Sequence, residues 1–532
     1  MTTTATGFTT AFAEADPARR DLLGGKGAGL AEMVQAGLRV PPGFVVSTAA
    51  CAAFLERGAL PEGLLAEVLD HLRAVEAATG AVFGPVDGDE RPPLLLSVRS
   101  GAPVSMPGMM DTILNLGLTP QAAATMAQAS GDVRFVGDLV ARFHRMYADT
   151  VLGEDPEHDD VDVHVASLPA GPGDGGAVYG DVWQQCAAAL AEETDELVPV
   201  DPAEQLVGAV EAVFRSWNTR RARTYRDFHG ISHDMGTAVV IQAMVFGNLS
   251  DDSGSGVCFT RNPVTGEPGL YGEFLARAQG EDVVAGTRTP TPIEVARAEL
   301  TQVFAELEAT AAQLERNRGD VLDIEFTVER STLYLLQVRS AKRTPEAAVR
   351  IAVDLLHEGL ADPRRALGMV TPEQLRQVQR PGFDGAEVVV ARDGGRLLTT
   401  GTGACAGQVC GVLVLDPDRA KQAAAEGHPV ILARAITSPT DLHGMIAARG
   451  IITATGGSTS HAAVVARALG RPCVVGAGEL VVDERARTVT LRGAGSEDGR
   501  VLAEGEIVSL DGSTGELFAG AFTTSSPAAA HR

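Results

Sequence analysis

The chain has 532 residues, 45% of them hydrophobic, with 44 basic against 69 acidic side chains and a net charge of −25. At about 150 residues per domain this is roughly three or four domain-sized units, and the acidic balance excludes nucleic acid or a membrane surface as partners held by bulk electrostatics. Six cysteines with no Cys-x-x-Cys pair are too sparse for a disulfide framework, so reduced thiols in a cytoplasmic protein are expected. No stretch is long and apolar enough to span a bilayer, and Met1-Thr2-Thr3-Thr4 does not begin a basic, then apolar, secretory leader.

In chain order, Gly24-Gly25-Lys26-Gly27 opens an amphipathic helix ending near Gly37, and Pro41-Pro42-Gly43 breaks the chain before Phe44-Val45-Val46. A lysine in a glycine-rich turn before a helix suits a phosphate, although the spacing is not that of a Walker A loop. A surface lysine in a glycine turn is the plainer reading. Leu94 to Arg99 predicts a buried strand that runs into a loop from Gly101 to Met110. Arg99 at its end is either a bidentate phosphate ligand or an arginine at the solvent edge. Residues 120–225 read as mainly helical, interrupted by an acidic Gly/Pro-rich surface loop from Gly153 to Gly176. Residues 237–290 resume strand and turn texture, a helix is expected over about 291–317, and a hairpin over Val321 to Val338. Residues 345–385 are polar and helical and are expected to be a linker. Residues 386–518 form a compact unit of short Val-rich strands, and 519–532 are expected to be a disordered tail.

Two constellations carry chemistry. In Leu322-Asp323-Ile324-Glu325-Phe326, alternation puts Asp323 and Glu325 on one strand face, where they can share a hard cation such as Mg²⁺. Gln337 and Arg339 share a face of the returning strand. All four meet only if the turn has an odd number of residues or the hairpin contains a bulge; a two-residue turn at Arg330-Ser331 sends the pairs to opposite faces. An ordinary half-exposed hairpin fits the pattern as well. In Gly456-Gly457-Ser458-Thr459-Ser460-His461, a glycine pair precedes a histidine at the start of a short apolar helix. Helix N-termini favour anions by about 0.3–1 kcal/mol, so an imidazole there is suited to carry a phosphoryl group. A histidine that merely begins a helix is the alternative. Together Lys26, Arg99 and Arg339 compose a triphosphate site, Asp323 and Glu325 a metal site, and His461 a covalent relay.

With these residues in hand the chain resembles the pyruvate, phosphate dikinase family over nearly all of residues 20–518. The resemblance is carried by Gly24-Gly25-Lys26-Gly27-Ala28-Gly29-Leu30, Ser97-Val98-Arg99-Ser100-Gly101-Ala102, Met106-Pro107-Gly108-Met109-Met110-Asp111-Thr112, Met244-Val245-Phe246-Gly247-Asn248, Phe259-Thr260-Arg261-Asn262-Pro263, Ala278 to Gly286 and the His461 segment. It implies a multidomain α/β protein with an ATP-grasp nucleotide-binding region over 1–344, a linker over 345–385 and a swivelling β/β/α phosphohistidine domain over 386–518. It further implies that Lys26, Arg99 and Arg339 hold the triphosphate of ATP, that Asp323 and Glu325, helped by Gln337, hold Mg²⁺, and that Gln242, Met244 and Glu281 lie near the nucleotide. His461 is then the phosphocarrier, and Thr459 matches a threonine that is a regulatory phosphorylation site in plant relatives. The Met-rich loop 105–112 is that of the dikinases, which implies inorganic phosphate as second acceptor, with AMP and pyrophosphate as products. Ser458 departs from the methionine usual in relatives. The family continues into a barrel for pyruvate or phosphoenolpyruvate, so a separate barrel subunit is expected to complete the reaction. A phosphohistidine donor to another acceptor, or a non-catalytic nucleotide-binding regulator, are the alternatives.

Overall fold

The protein is described by a computed structural model over residues 7–84, 91–104, 112–153, 183–188, 197–285, 290–378, 382–492 and 500–525, together with Met106, Met110 and Arg288. The loop 105–112 and the acidic stretch 153–176 therefore lie largely outside the described residues. Two compact units result, Met1–Leu249 with Tyr334–Gln337, and Ser250–Leu333 with Val338–Arg532.

The first unit is built on an antiparallel sheet in the order Thr9–Ala11, Gly43–Val46, Ala238–Ala243, Leu96–Gly101, Thr112–Leu116. Helices Thr48–Arg57, Leu64–Thr79, Val133–Tyr147 and Pro202–Ser216 bury their apolar faces in a core that includes Phe44, Phe54, Leu72, Phe143 and Phe214. The strand expected at Leu94 to Arg99 is shifted. It spans Leu96–Gly101 and is buried throughout, so Arg99 sits inside a sheet rather than at its solvent edge. Arg20–Gln35 is two helices meeting at Gly24, whose backbone is not helical (φ 66°, ψ 171°), so the glycine pair opens the second helix as expected and Lys26 lies in its first turn, two residues beyond the kink. Gly25 N–H donates to Ala102 O at 2.8 Å, pinning the kink to the end of the Arg99 strand.

The second unit begins with a sheet in the order Thr332–Ser340, Leu322–Glu329, Gly254–Arg261, Pro268–Ala276, Thr291–Pro292. Phe274, Phe304 and Phe326 stack edge and face beneath it. Helix Pro345–His357 is part of this core rather than a linker. Ala347, Ile351 and Leu355 recur every four residues on one face and pack with Phe259 and Val321. The polar character of the segment lies on its other face. Beyond it an eight-stranded sheet runs in the order Leu397–Thr400, Glu516–Ala519, Ile507–Asp511, Gln408–Val414, Val430–Arg434, Gly450–Thr453, Cys473–Val475, Thr402–Cys405, with a parallel centre and antiparallel edges. Of the expected tail, residues 519–525 are described and structured: Thr524–Ser525 pairs with Gly382–Phe383, and Phe522 packs on Phe383 and Phe518, while 526–532 lie outside the described residues. All six cysteines are free. Among the described residues no helix is long and apolar enough to cross a membrane.

Gly24 gives a direct test of the kink. Its φ is left-handed, and a Cβ there would stand 1.6 Å from Gly101 O. Gly24→Ala is expected to cost at least about 1–3 kcal/mol, read as a fall in the thermal midpoint, whereas the open left-handed Gly37 tolerates alanine with a smaller loss.

Candidate functional site

In the first unit the antiparallel register pairs Ser97 with Gln242 and Arg99 with Val240. The Arg99 guanidinium bonds the Gln242 side-chain oxygen and reaches Leu336 O at 3.2 Å. Gln242 in turn donates to Pro41 O at 2.9 Å. Lys26 stands beside Gly101, two residues along the strand from Arg99. Met244 is half-buried against the core, and Gln337 is buried. The first unit thus gathers Lys26, Arg99, Gln242, Met244 and Gln337 of the expected residues.

The second unit holds the carboxylates. The hairpin turns in two residues, Arg330 and Ser331, both with positive φ, as a tight turn between twisted strands requires. By simple alternation this sends Arg339 away from Asp323. In the structure Leu333, Leu335, Gln337 and Val338 are all buried, so burial does not follow simple alternation toward the end of the strand. Arg339 Nε donates to Asp323 Oδ2 at 2.8 Å, and its Nη2 lies 3.7 Å from Glu325 Oε1. Asp323 is 4% exposed, and burial raises its pKa above the usual carboxylate value, against the opposing pull of Arg339. Its Oδ1 is buried with no hydrogen-bond partner. A buried, unpartnered carboxylate oxygen beside a second carboxylate is the donor set for a hard cation. No group of three or more His, Cys, Asp or Glu is assembled among the described residues. The pair fits a Mg²⁺ completed by phosphate oxygens and water better than an all-protein cage. Glu281 is on the short helix Gly280–Ala285, which packs beside strand Gly254–Arg261 and against Leu322–Glu329, the strand of the two carboxylates.

His461 opens the helix His461–Leu469, as expected, and Gly470 ends it in the left-handed conformation. Thr437 Oγ1 lies 3.2 Å from Nδ1. When Nδ1–H donates to that hydroxyl, the lone pair is on Nε2, which is enclosed and has no hydrogen-bond partner. Burial lowers the imidazole pKa from 6.5 to about 4, so the ring is neutral and nucleophilic at neutral pH. The shallow cleft at the ring is lined by Ile436, Thr437, Thr455 and Gly456 among others and has essentially no enclosed room for a water molecule.

Three residues that sequence reasoning missed organise this histidine. Thr437 comes from a loop with no recognisable pattern. Glu273, on strand Pro268–Ala276, accepts from Ser458 N–H at 2.7 Å, from Thr459 N–H at 3.3 Å and from the Thr459 hydroxyl at 2.8 Å. A Cβ on Gly457 would stand 2.4 Å from its carboxylate oxygens, which is why glycine is needed there. Arg467, on the histidine's own helix, is buried, donates to Ala404 O at 3.0 Å and lies 5.5 Å from the Phe259 ring centroid. Its position in the His461 segment was the available signal.

Residues 20–82 and 58–305 match the family described as pyruvate phosphate dikinase, AMP/ATP-binding domain, and residues 426–515 match that of the PEP-utilising enzyme, mobile domain. The chain is 46% identical over 530 residues to the pyruvate, phosphate dikinase of Rhizobium meliloti (strain 1021), covering 96% of this chain and 57% of that protein. It is 47% identical over 516 residues to pyruvate, phosphate dikinase 2 of Zea mays (96% and 56%) and 43% identical over 519 residues to that of Clostridium symbiosum (96% and 58%). The chain thus spans little more than half the length of these relatives.

Two outcomes follow from the histidine's surroundings. In NMR titration the His461 ring stays neutral from pH 8 to about 5 and takes its proton near pH 4; an inflection near 6.5 would contradict the burial. Because the unfolded chain binds that proton first, the folded state loses stability as pH falls from 6.5 toward 4. Replacing Glu273 by alanine removes three charge-assisted bonds, and a loss of roughly 2–3 kcal/mol is expected, seen as faster amide exchange at Ser458 and Thr459. Unchanged exchange there would show that the clasp does not hold the loop.

Proposed function

We propose, for a chain that belongs to the pyruvate, phosphate dikinase family, that it transfers a phosphoryl group from ATP to His461, with inorganic phosphate as second acceptor. The observation that carries this reading is the neutral, enclosed Nε2 of His461 at a helix N-terminus, with no partner of its own, in the unit that also carries Asp323, Glu325 and Arg339. Nucleotide binding is supported by the AMP/ATP-binding match over 58–305, and the carrier role by the mobile-domain match over 426–515. The region up to 344 is read as an ATP-grasp fold and 386–518 as a swivelling phosphohistidine domain.

Lys26, Arg99 and Arg339 are assigned to the triphosphate, with Gln242, Met244 and Glu281 near the nucleotide. Asp323 and Glu325, with Gln337, would hold Mg²⁺, which supplies charge neutralisation of the phosphates. Arg339 is paired with the two carboxylates; with those held by a cation, its guanidinium would be available to phosphate oxygens. The Nε2 lone pair forms the N–P bond, the bond between the α- and β-phosphoryl groups breaks, and AMP leaves. Of the two remaining phosphoryl groups one stays on Nε2 and the other joins inorganic phosphate as pyrophosphate. Exchange of that phosphoryl group with pyruvate or phosphoenolpyruvate is assigned to a separate barrel subunit. A phosphoryl group on Thr459 would replace the hydroxyl that Glu273 now accepts from with a dianion, so modification there would repel the clasp.

Labelling with ATP radioactive in the β-phosphate, with Mg²⁺ and with or without inorganic phosphate, tests this. Acid-labile label on the chain, absent from His461→Ala and accompanied by phosphate-dependent pyrophosphate release, is expected. No label under any condition despite ATP binding would leave only a nucleotide-binding protein.

A further inference from the structure

The cleft beside the His461 ring is lined by four residues that carry hydroxyls, Thr437, Thr453, Thr455 and Ser460. Three of the hydroxyls are engaged. Thr437 Oγ1 lies 3.2 Å from His461 Nδ1, Thr453 Oγ1 donates to Thr455 O at 2.7 Å, and Thr455 Oγ1 donates to Ala435 O at 3.0 Å. The fourth is not. Ser460 is 4% exposed, and its Oγ is buried with no hydrogen-bond partner among the described residues. The cleft has essentially no enclosed room for a water, so solvent does not satisfy this hydroxyl either.

The position of Ser460 makes this unusual. It is the N-cap of helix His461–Leu469, where a serine side chain ordinarily accepts from the second or third N–H of the helix. Ser460 makes no such bond. Its backbone begins the helix in the usual way, with Ser460 O accepting from Val464 N–H at 3.0 Å. The hydroxyl is withheld, and the first N–H groups lack the acceptor it would supply. Gly456 makes room for it: its φ is +100°, and a Cβ there would stand 3.1 Å from Ser460 Oγ. The same cleft holds His461 Nε2, likewise enclosed and without a partner. Any group that bonds Nε2 must widen the cleft, and widening it uncovers the hydroxyl beside the ring. A free O–H donor next to a helix N-terminus suits an anion.

We propose that Ser460 is a further catalytic residue, whose hydroxyl donates to a non-bridging oxygen of the phosphoryl group as that group joins Nε2, an assignment that rests on the phosphotransfer reading above. The Nε2 lone pair forms the N–P bond and the bond between the α- and β-phosphoryl groups breaks. Ser460 keeps its proton throughout and forms no covalent bond. A neutral hydroxyl suits this place because burying it carries no charge, and its O–H rotates to follow the oxygen as the group arrives and leaves. A donor held ready for charge that appears only during transfer acts on the rate of the step rather than on ATP binding.

The test compares the full chain with Ser460→Ala and Ser460→Thr. The control is Thr399→Val, which removes another buried, unpartnered hydroxyl, on strand Leu397–Thr400 and outside the cleft. In labelling of His461 from ATP, the rate for Ser460→Ala is expected to fall at least tenfold while the half-saturating ATP concentration changes less than twofold. Ser460→Thr, which keeps the hydroxyl, retains most of the rate, and Thr399→Val matches the wild type. The thermal midpoint of Ser460→Ala does not fall, because the lost hydroxyl makes no cap bond. A wild-type rate in Ser460→Ala would overturn the proposal. So would a lowered midpoint with equal rate losses in the alanine and threonine variants, which assigns Ser460 to the structure of the helix instead. If the wild type is not labelled from ATP at all, the phosphotransfer reading fails by itself. Phosphoramidate, which phosphorylates histidine without ATP, then decides Ser460 separately, with the His461 signal in phosphorus NMR identified by its absence from His461→Ala. A signal displaced in Ser460→Ala supports the hydrogen bond, and one that coincides with the wild type removes it.

Discussion

The carboxylate of Glu273 is the contact on which the arrangement of the second unit depends. One side chain satisfies two backbone N–H groups and a hydroxyl in the turn that leads into His461. Its strand lies beside Gly254–Arg261, which pairs in turn with the strand of Asp323 and Glu325. The loop that leads into His461 is therefore tied to the same sheet as Asp323 and Glu325. The tie is made of hydrogen bonds to a half-buried carboxylate, each worth about 1.5–3 kcal/mol at most when charge-assisted. A clasp of that size can hold a loop and still release it.

The second constraint is the cost of burying charge. Asp323 is almost wholly enclosed and has one oxygen on Arg339 and one on nothing. Arg467 is enclosed too, and its charge is offset by a carbonyl, a ring face and the field of Asp323 rather than by a salt bridge. His461 avoids the cost by staying neutral. Buried polar atoms without partners are few in native proteins, and Asp323 Oδ1 and His461 Nε2 are two of them among the described residues.

Much of this was legible in the residues. Alternation placed Asp323 and Glu325 on one face, and the glycine pair placed His461 at a helix start; both rest on local geometry, which a sequence encodes directly. The differences have a common origin. Arg99 was expected at the end of its strand, as a phosphate ligand or at the solvent edge, yet the strand runs on to Gly101 and Ala238–Ala243 and Thr112–Leu116 flank it on both sides. Helix Pro345–His357 was expected to be a linker, yet its small apolar stripe fits against Phe259 and Val321. In each case a distant segment decided, and no local pattern reports it.

By itself the sequence determined the identity and spacing of the chemical groups: Lys26 behind a glycine pair, Arg99 near the end of a strand, Asp323 and Glu325 on one strand face, and an imidazole behind two glycines. The tertiary structure alone decided which groups meet. That Arg339 reaches Asp323 despite a two-residue turn is seen only in the folded hairpin. That Glu273 holds Thr459 follows from a contact between residues 186 positions apart. Pairings of that kind depend on how sheets stack and how much burial each charge can bear, and those are properties of the folded whole.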